Sequence, residues 1–333
     1  MNIQEDKLHN ILNEFKNKKI LVIGDLMLDH YIIGDVERIS PEAPVQIVKA
    51  ENEKFGLGGA ANVANNIKSL GATPIVIGAV GNDLNGQKVL DIFKKNNILA
   101  KGIFKDKNQP TTQKTRVIAR HQQLLRIDFE NPDELSSDLY KKIENYIEQI
   151  IPDIDGIILQ DYNKGLLSKS LIRFILKIAN KNEKIIGVDP KTKNFFEYTN
   201  ATIFKPNRYE VEKNLNIDIK NEEDLLSAAR ILIQKVNCSY LVITLGENGM
   251  FICDNKRKHW KIPTFSQEVY EVSGAGDTVI STLVLAKAAG CDIKTASIIA
   301  NHAAGAVCGK VGVAIVSQEE IILSFHAEGR PFG

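Results

Sequence analysis

Through the second half of the chain, short runs of branched aliphatic residues alternate with amphipathic stretches. Residues 154–159, 185–188, 202–204 and 240–243 read as buried strands. Between them, helical spacing of apolar residues (Leu139, Ile143, Ile147 and Ile150 in the first case) predicts helices over 139–150, 168–180 and 222–236. Two further apolar runs, 19–23 and 74–80, lie upstream. A strand that is apolar at every position needs cover on both faces, and a helix between successive strands supplies the crossover that parallel pairing requires. Few architectures satisfy both demands. The expectation is an α/β fold with a doubly wound, mostly parallel sheet.

Two stretches leave this rhythm. Residues 31–34 and 45–48 read as short strands around a turn holding Pro41 and Pro44, with no helix between them. Residues 111–118 and 124–128 alternate like a second hairpin. Together they predict a small β-sheet lid. Its inward polar residues include Lys114, Arg116 and Arg126, a cation cluster suited to an anionic substrate group.

The stretch 272–278, Val-Ser-Gly-Ala-Gly-Asp-Thr, precedes an apolar, helix-forming run over 279–289. A small-residue loop opening into a helix N-terminus presents free N–H groups at the positive end of the helix dipole, a site for phosphate. Asp277 sits in the same turn. Alone it reads as a cap; beside a phosphate it can accept a proton from an attacking hydroxyl. A second glycine-rich stretch, 56–64, begins another helix, and Gly58 and Gly59 let backbone approach a ligand closely. It lacks the spacing and the downstream acid of a dinucleotide fingerprint.

Polar residues recur just after strands: Asp29, Asp161, Asp189, Asn207, Thr244 and Asp277. In an open α/β sheet they converge on the carboxyl edge, where ligands bind. With an anion hole, the pattern points to phosphoryl transfer from a nucleotide. A Walker A motif and the protein-kinase motifs are absent from the sequence.

Composition narrows the partners. A formal charge of +1 points away from nucleic acid, and no apolar run reaches the ~20 residues of a membrane span. Four cysteines without a CxxC pair read as reduced thiols, and the polar N-terminus carries no signal-peptide core. A cytoplasmic protein is expected.

Over roughly residues 18–320, the chain resembles the ribokinase (PfkB) family of sugar kinases. Three motifs carry the resemblance in order: Gly58-Gly59 with Asn62, Asn207-x-x-Glu210, and Gly274-Ala275-Gly276-Asp277. It implies a ribokinase-like fold that uses ATP and Mg²⁺. It implies Asp277 as catalytic base, with Gly274, Ala275 and Gly276 as the anion hole. Asn207 and Glu210 would organise the metal, largely through waters, and the turn they bracket, with Arg208 and Tyr209, would face the nucleotide. Thr244, Gly246, Gly249 and Asn301 would line the nucleotide site. Asp29, Gly58, Gly59 and Asn62 would hold the sugar.

Residues 24–31, 38–45, 56–64 and 122–128 are similar to the D-glycero-β-D-manno-heptose 7-phosphate kinase branch, which phosphorylates the anomeric hydroxyl on the way to ADP-heptose and lipopolysaccharide. The lid cations Lys114, Arg116 and Arg126 are then candidates for the 7-phosphate. The branch often carries an adenylyltransferase domain after the kinase. This chain ends at Gly333, so a single kinase domain over 1–333 is expected, with lid insertions at about 30–52 and 105–129 and no adenylyltransferase. Glu271-Val272 stands where the family commonly has Asp-Thr, which puts a monovalent-cation requirement in question. Exposed lid strands suggest a homodimer. Another sugar or nucleoside kinase, or a sensor without catalysis, is the alternative.

Overall fold

The structure, a computed structural model, describes residues 3–120, 122–265, 274–310 and 314–328. Helix α1 (Glu5–Glu14) leads into strand β1 (Lys19–Gly24), and the hairpin β2 (Leu26–Ile39) and β3 (Gln46–Gly59) follows. Then come α2 (Ala60–Ser69), β4 (Thr73–Gly81), α3 (Leu84–Lys95), β5 (Gly102–Asp106), β6 (Thr112–Ala119) and β7 (Gln122–Phe129). The βα rhythm resumes with α4 (Ser137–Ile150), β8 (Gly156–Gln160), α5 (Lys169–Lys181), β9 (Ile185–Asp189), β10 (Ile203–Phe204), α6 (Arg208–Leu215), α7 (Glu222–Val236) and β11 (Tyr240–Thr244). The hairpin β12 (Met250–Asp254) and β13 (His259–Ile262) precedes α8 (Ala275–Ala288), α9 (Ile293–Cys308) and α10 (Gln318–Glu328).

Among the described residues, nine strands form one sheet in the order β13-β12-β11-β10-β9-β8-β1-β4-β5. From β11 to β5 every pairing is parallel, and β12 and β13 add an antiparallel edge. The chain departs from β1 toward β4 and β5, then returns to β8 on its other side. The crevice between β1 and β8 is thus the point where strand order reverses, the usual ligand position in such sheets.

Strand β1 explains why an unbroken apolar run is needed. Ile20 and Val22 pack into the core beneath α2, α8 and α9, whereas Leu21 and Ile23 pack into the opposite core with residues of α4, α5 and α7. Successive side chains point to opposite faces, so each must be apolar. Full burial of such a side chain contributes about 1.5–3 kcal/mol. Several helices start where side-chain oxygens cap them: Asp83 accepts the Gly86 N–H at 2.7 Å, and Ser136, Ser168, Asn221 and Asp292 cap α4, α5, α7 and α9 in the same way.

The smaller sheet has the order β3-β2-β6-β7. Its two hairpins are antiparallel, but β2 and β6 pair in parallel, so the sheet is mixed. The sequence pattern understates it. Strands β2 and β3 run fourteen residues each, extending well beyond 31–34 and 45–48. The glycines at 56, 58 and 59 close strand β3 and lead straight into α2. Strand β5 pairs with β4 in the main sheet. Helix α10 packs on α9 through a Ser324–His302 hydrogen bond of 2.8 Å and the Phe325 ring. No helix among the described residues is long and apolar enough to cross a membrane.

Candidate active site

The carboxyl ends of β1, β8 and β9 meet the first turns of α2 and α8. Gly274, at φ +85°, takes the N-cap of α8, and Ala275, Gly276 and Asp277 form the first helical turn. The glycine motif is therefore the helix start itself, not a loop ahead of it. The helical ladder begins with Thr278 N–H to the Gly274 carbonyl at 3.0 Å. The amides of Ala275, Gly276 and Asp277 precede it and face outward along the axis. A Cβ on Gly276 would lie 3.7 Å from Lys205 Nζ and 3.8 Å from Asp189 Oδ2, so charged groups close on this turn. Residues Glu271, Val272 and Ser273 lie outside the described residues.

Asp277 is buried, and three donors hold its carboxylate. Asn62 Nδ2 donates to Oδ2 at 2.8 Å. Gln160 Nε2 and the Tyr162 hydroxyl donate to Oδ1 at 3.0 and 2.9 Å. Burial pushes the Asp277 carboxyl up to about 7; the negative charge of Asp189 adds to that, while the Asn62 and Tyr162 hydrogen bonds and Lys205 oppose it. A carboxylate poised near neutrality suits a general base.

Helix α2 zips to α8 behind this group. Asn66 Nδ2 donates to the Asn62 carbonyl at 3.0 Å, and Thr278 Oγ1 donates to Asn66 Oδ1 at 3.1 Å. Gly59, at φ +60°, admits the Asp25 carbonyl, which a Cβ would approach to 2.4 Å. Asp25 itself is a staple: its carboxylate accepts the N–H groups of Tyr162, Lys164 and Leu166 at 2.8, 3.0 and 3.2 Å. Burial nevertheless raises its pKa. Asp161 turns inward to the Tyr198 hydroxyl at 2.7 Å, and burial pushes it up to about 6.

Asp29 does not lie in a turn after β1. It is a residue of β2, because the chain enters the lid sheet immediately after Asp25. Arg116 on β6 donates to it at 2.5 Å, with both side chains buried. Gly58 provides the room, since a Cβ there would meet Asp29 Oδ2 at 2.4 Å. Lys114 shares this face but pairs with Asp128 at 3.1 Å and Glu130 at 3.7 Å. Arg126 also reaches Asp128, at 3.0 Å, and remains half-exposed. The three lid cations are thus held by carboxylates, with Arg116 deepest.

Asn207 and Glu210 form a reciprocal capping box at the start of α6. Asn207 Oδ1 accepts the Glu210 N–H, and Glu210 Oε2 accepts the Asn207 N–H, both at 2.8 Å. The other Glu210 oxygen takes the ammonium of Lys191. Beside them, Lys205 pairs with Asp189 at 3.1 Å, and Gln160 Nε2 donates to the same Asp189 oxygen at 3.1 Å.

An open cleft of about 720 Å³ runs from these groups across the sheet edge, in the size range of small-molecule sites. Lys191, Lys205, Asn207, Thr244, Gly249 and Asn301 line it, together with Gly276 and Ala275. Gly246, also on its wall, has φ +61°, and a Cβ there would meet nothing within 4 Å, so the cleft floor stays open at that point. Asn301 Nδ2 donates to the Pro263 carbonyl at 2.5 Å. Arg208 borders the cleft, with its guanidinium bonded to Glu212 and the Ile219 carbonyl. Tyr209 is not brought into the cleft: it is 67% exposed, with Lys213 over its ring.

Glu210 brings one carboxylate oxygen to Lys191 at the cleft wall. Among the described residues no group of three or more His, Cys, Asp or Glu side chains forms a metal cage. Mg²⁺ ordinarily keeps several waters and takes one or two carboxylates plus phosphate oxygens. A single carboxylate beside an anion-binding helix turn fits that pattern.

Sequence reasoning does not single out Gln160, Tyr162, Lys191 or Lys205. A signal exists, because each stands at or just past the carboxyl end of β8, β9 or β10, where the acids Asp161 and Asp189 are the more conspicuous residues.

The profile of the pfkB family of carbohydrate kinases matches residues 17–320. The bifunctional protein HldE of Helicobacter acinonychis is 43% identical over 306 residues, 92% of this chain and 66% of that protein. The bifunctional protein HldE of Helicobacter hepaticus is 42% identical over 315 residues, 95% of this chain and 65% of that protein. The chain thus spans just under two thirds of these relatives. Among solved structures, phosphofructokinase-2 from Escherichia coli in complex with substrates and products superposes with a TM-score of 0.78 at 19% identity, covering 94% of this chain and 99% of that one. Ribokinase from Arabidopsis thaliana complexed with ribose and ATP gives 0.74 at 16%, covering 92% and 98%.

Proposed function

The chain belongs to the pfkB family of carbohydrate kinases and is an ATP-dependent sugar kinase; from that premise we propose that it phosphorylates the anomeric hydroxyl of D-glycero-β-D-manno-heptose 7-phosphate, giving the 1,7-bisphosphate for ADP-heptose and lipopolysaccharide synthesis. The observation that carries the chemistry is Asp277: a buried carboxylate in the first turn of α8, held by three donors beside the cleft. The similarity to HldE proteins and the cation cluster of the lid support the choice of acceptor.

In this reading the sugar lies between the lid and the β1–β8 crevice. Asp29, oriented by Arg116, and the backbone at Gly58 and Gly59 bind its hydroxyls. Asn62 bridges sugar and base by fixing the Asp277 carboxylate. Asp277 accepts the proton of the O1 hydroxyl as that oxygen attacks the γ-phosphorus in line and ADP departs. The amides of Ala275, Gly276 and Asp277, with the α8 dipole, stabilise charge on the transferring oxygens. Lys205, locked by Asp189, adds a fixed positive charge beside them. The nucleotide extends along the cleft past Asn207, Thr244, Gly246, Gly249 and Asn301, with Arg208 at its border. Glu210, positioned by Asn207, would hold Mg²⁺, which would supply neutralisation of phosphate charge. The lid covers the acceptor and excludes water, which otherwise competes for the phosphoryl group.

The reading includes a cytoplasmic homodimer joined through the lid. Leu125, Ile127 and Phe129 on β7 leave apolar surface exposed, as an interface would require. The test is ADP release with a panel of acceptors. Preference for the 7-phosphoheptose over the unphosphorylated heptose and over fructose 6-phosphate is expected; preference for a neutral sugar overturns the choice of acceptor.

A further inference from the structure

Two ammonium groups reach the cleft beside the first turn of α8, and they are held in different ways. Lys205 is 3% exposed and salt-bridged to Asp189, which Gln160 also holds. It is buried and held by that salt bridge. Lys191 is 29% exposed, follows β9 in an extended backbone conformation, and has the open cleft on one side and the Tyr162 ring 5.4 Å away on another. Its ion-pair partner is the Glu210 oxygen that the capping box leaves free.

That partnership conflicts with the metal-holding role of Glu210. Glu210 Oε2 accepts the Asn207 N–H and completes the α6 capping box, so it stays where it is while the helix start is intact. The opposite oxygen alone is left for a cation, and Lys191 has it. An ammonium and a divalent ion on one oxygen repel each other. A lysine side chain is a compact charge on a four-carbon tether, able to exchange one anionic partner for another nearby.

Resting on the kinase reading above, we propose that Lys191 is a displaceable cation: it neutralises Glu210 in the free protein and transfers to the β- and γ-phosphate oxygens when the nucleotide binds, leaving Glu210 to the divalent ion. The exchange conserves charge. Three carboxylates, Asp189, Glu210 and Asp277, face two ammonium groups in the free site, and the incoming triphosphate brings more negative charge than its metal cancels. Moving Lys191 onto the phosphates answers that excess while removing the competitor at Glu210.

The experiment is calorimetric binding to the full chain, comparing wild type with Lys191→Met and Lys191→Gln. The probes are Mg²⁺ with the β,γ-imido analogue of ATP, AMP, and Mg²⁺ alone. Loss of the ammonium is expected to weaken the imido analogue at least about tenfold, the scale of one charge-assisted hydrogen bond. AMP, which lacks the β- and γ-phosphates, is expected to bind within twofold of wild type, and Mg²⁺ alone to bind more tightly. An unchanged affinity for the imido analogue overturns the proposal, as does a parallel loss for AMP and the analogue, which marks Lys191 as cleft wall only. If Lys191→Met is unfolded by circular dichroism, the polar Lys191→Gln variant answers the same comparison. Wild type that binds neither nucleotide overturns the kinase reading itself, and this role with it.

Discussion

The side-chain amide of Asn62 donates to Oδ2 of Asp277 at 2.8 Å, joining the first turns of two helices 215 residues apart. One belongs to the strand–helix junction that closes the lid hairpin, the other to the glycine-rich first turn of α8. In the proposed reaction the sugar end and the phosphate end of the site share this carboxylate.

That carboxylate sets the pH dependence. Burial raises Asp277 to about 7, and the proposed general base is its ionised form, so kcat/KM should rise with pH through an apparent pKa near 7. Asn62→Ala and Tyr162→Phe each remove a hydrogen bond that favours ionisation. Each should move the acid limb to higher pH, by about one unit for a charge-assisted bond. A pH–rate profile on both variants checks this; an unmoved limb separates the limb from Asp277.

Asp277→Asn should bind nucleotide normally and lose about 10²-fold or more in turnover. It should also change how stability depends on pH. The folded pKa lies above the unfolded value of 3.8, so the native state keeps a proton between about 4 and 7 that the unfolded chain has released. Stability from this group is present below about 4 and is lost as pH rises through 7. The difference in Tm between variant and wild type should therefore shift in favour of the variant from pH 5 to pH 8, measured by thermal unfolding across that range.

Gly58→Ala tests the sugar pocket separately from the nucleotide cleft. The new Cβ would stand 2.4 Å from Asp29 Oδ2 and must push that carboxylate off Arg116. We expect the KM for the sugar to rise about tenfold or more, with nucleotide affinity within twofold. Acceptor titration at saturating ATP, alongside nucleotide binding, reads both.

Lys114→Ala tests the assignment of a substrate phosphate to the lid. Loss of a charge-assisted contact should raise the KM for a 7-phosphoheptose by about 10–100-fold. The KM for the unphosphorylated heptose should stay near wild type. Parallel changes for both acceptors would remove Lys114 from phosphate recognition.

Much of the frame is legible in the chain's periodicity. Helices α4, α5 and α7 lie within a residue or two of their apolar spacing, and the strand–helix alternation yields a parallel sheet. The Asn207-x-x-Glu210 spacing folds as a capping box because both partners lie in one helical turn. The lid is less legible. Its long strands carry polar and glycine residues, since one face lines the site, and the period-two signal fades there. Asp29 is misplaced by sequence reasoning for the same reason: the chain turns into β2 immediately after Asp25, without a loop to mark the change.

The sequence by itself determined the layered α/β architecture, a helix N-terminus beside the Gly274–Asp277 motif and the acids gathered at strand ends. These depend on periodicity and capping, which act within a few residues. The tertiary structure alone decided which groups touch Asp277, that Arg116 serves Asp29, and that Lys191 occupies Glu210. The contacts to Asp277 follow from the reversal of strand order beside β1, which brings β8 and α8 against α2 across more than a hundred residues of chain, whereas Arg116 meets Asp29 through β2–β6 pairing in the smaller sheet. No local spacing encodes a hydrogen bond made across such a crossover.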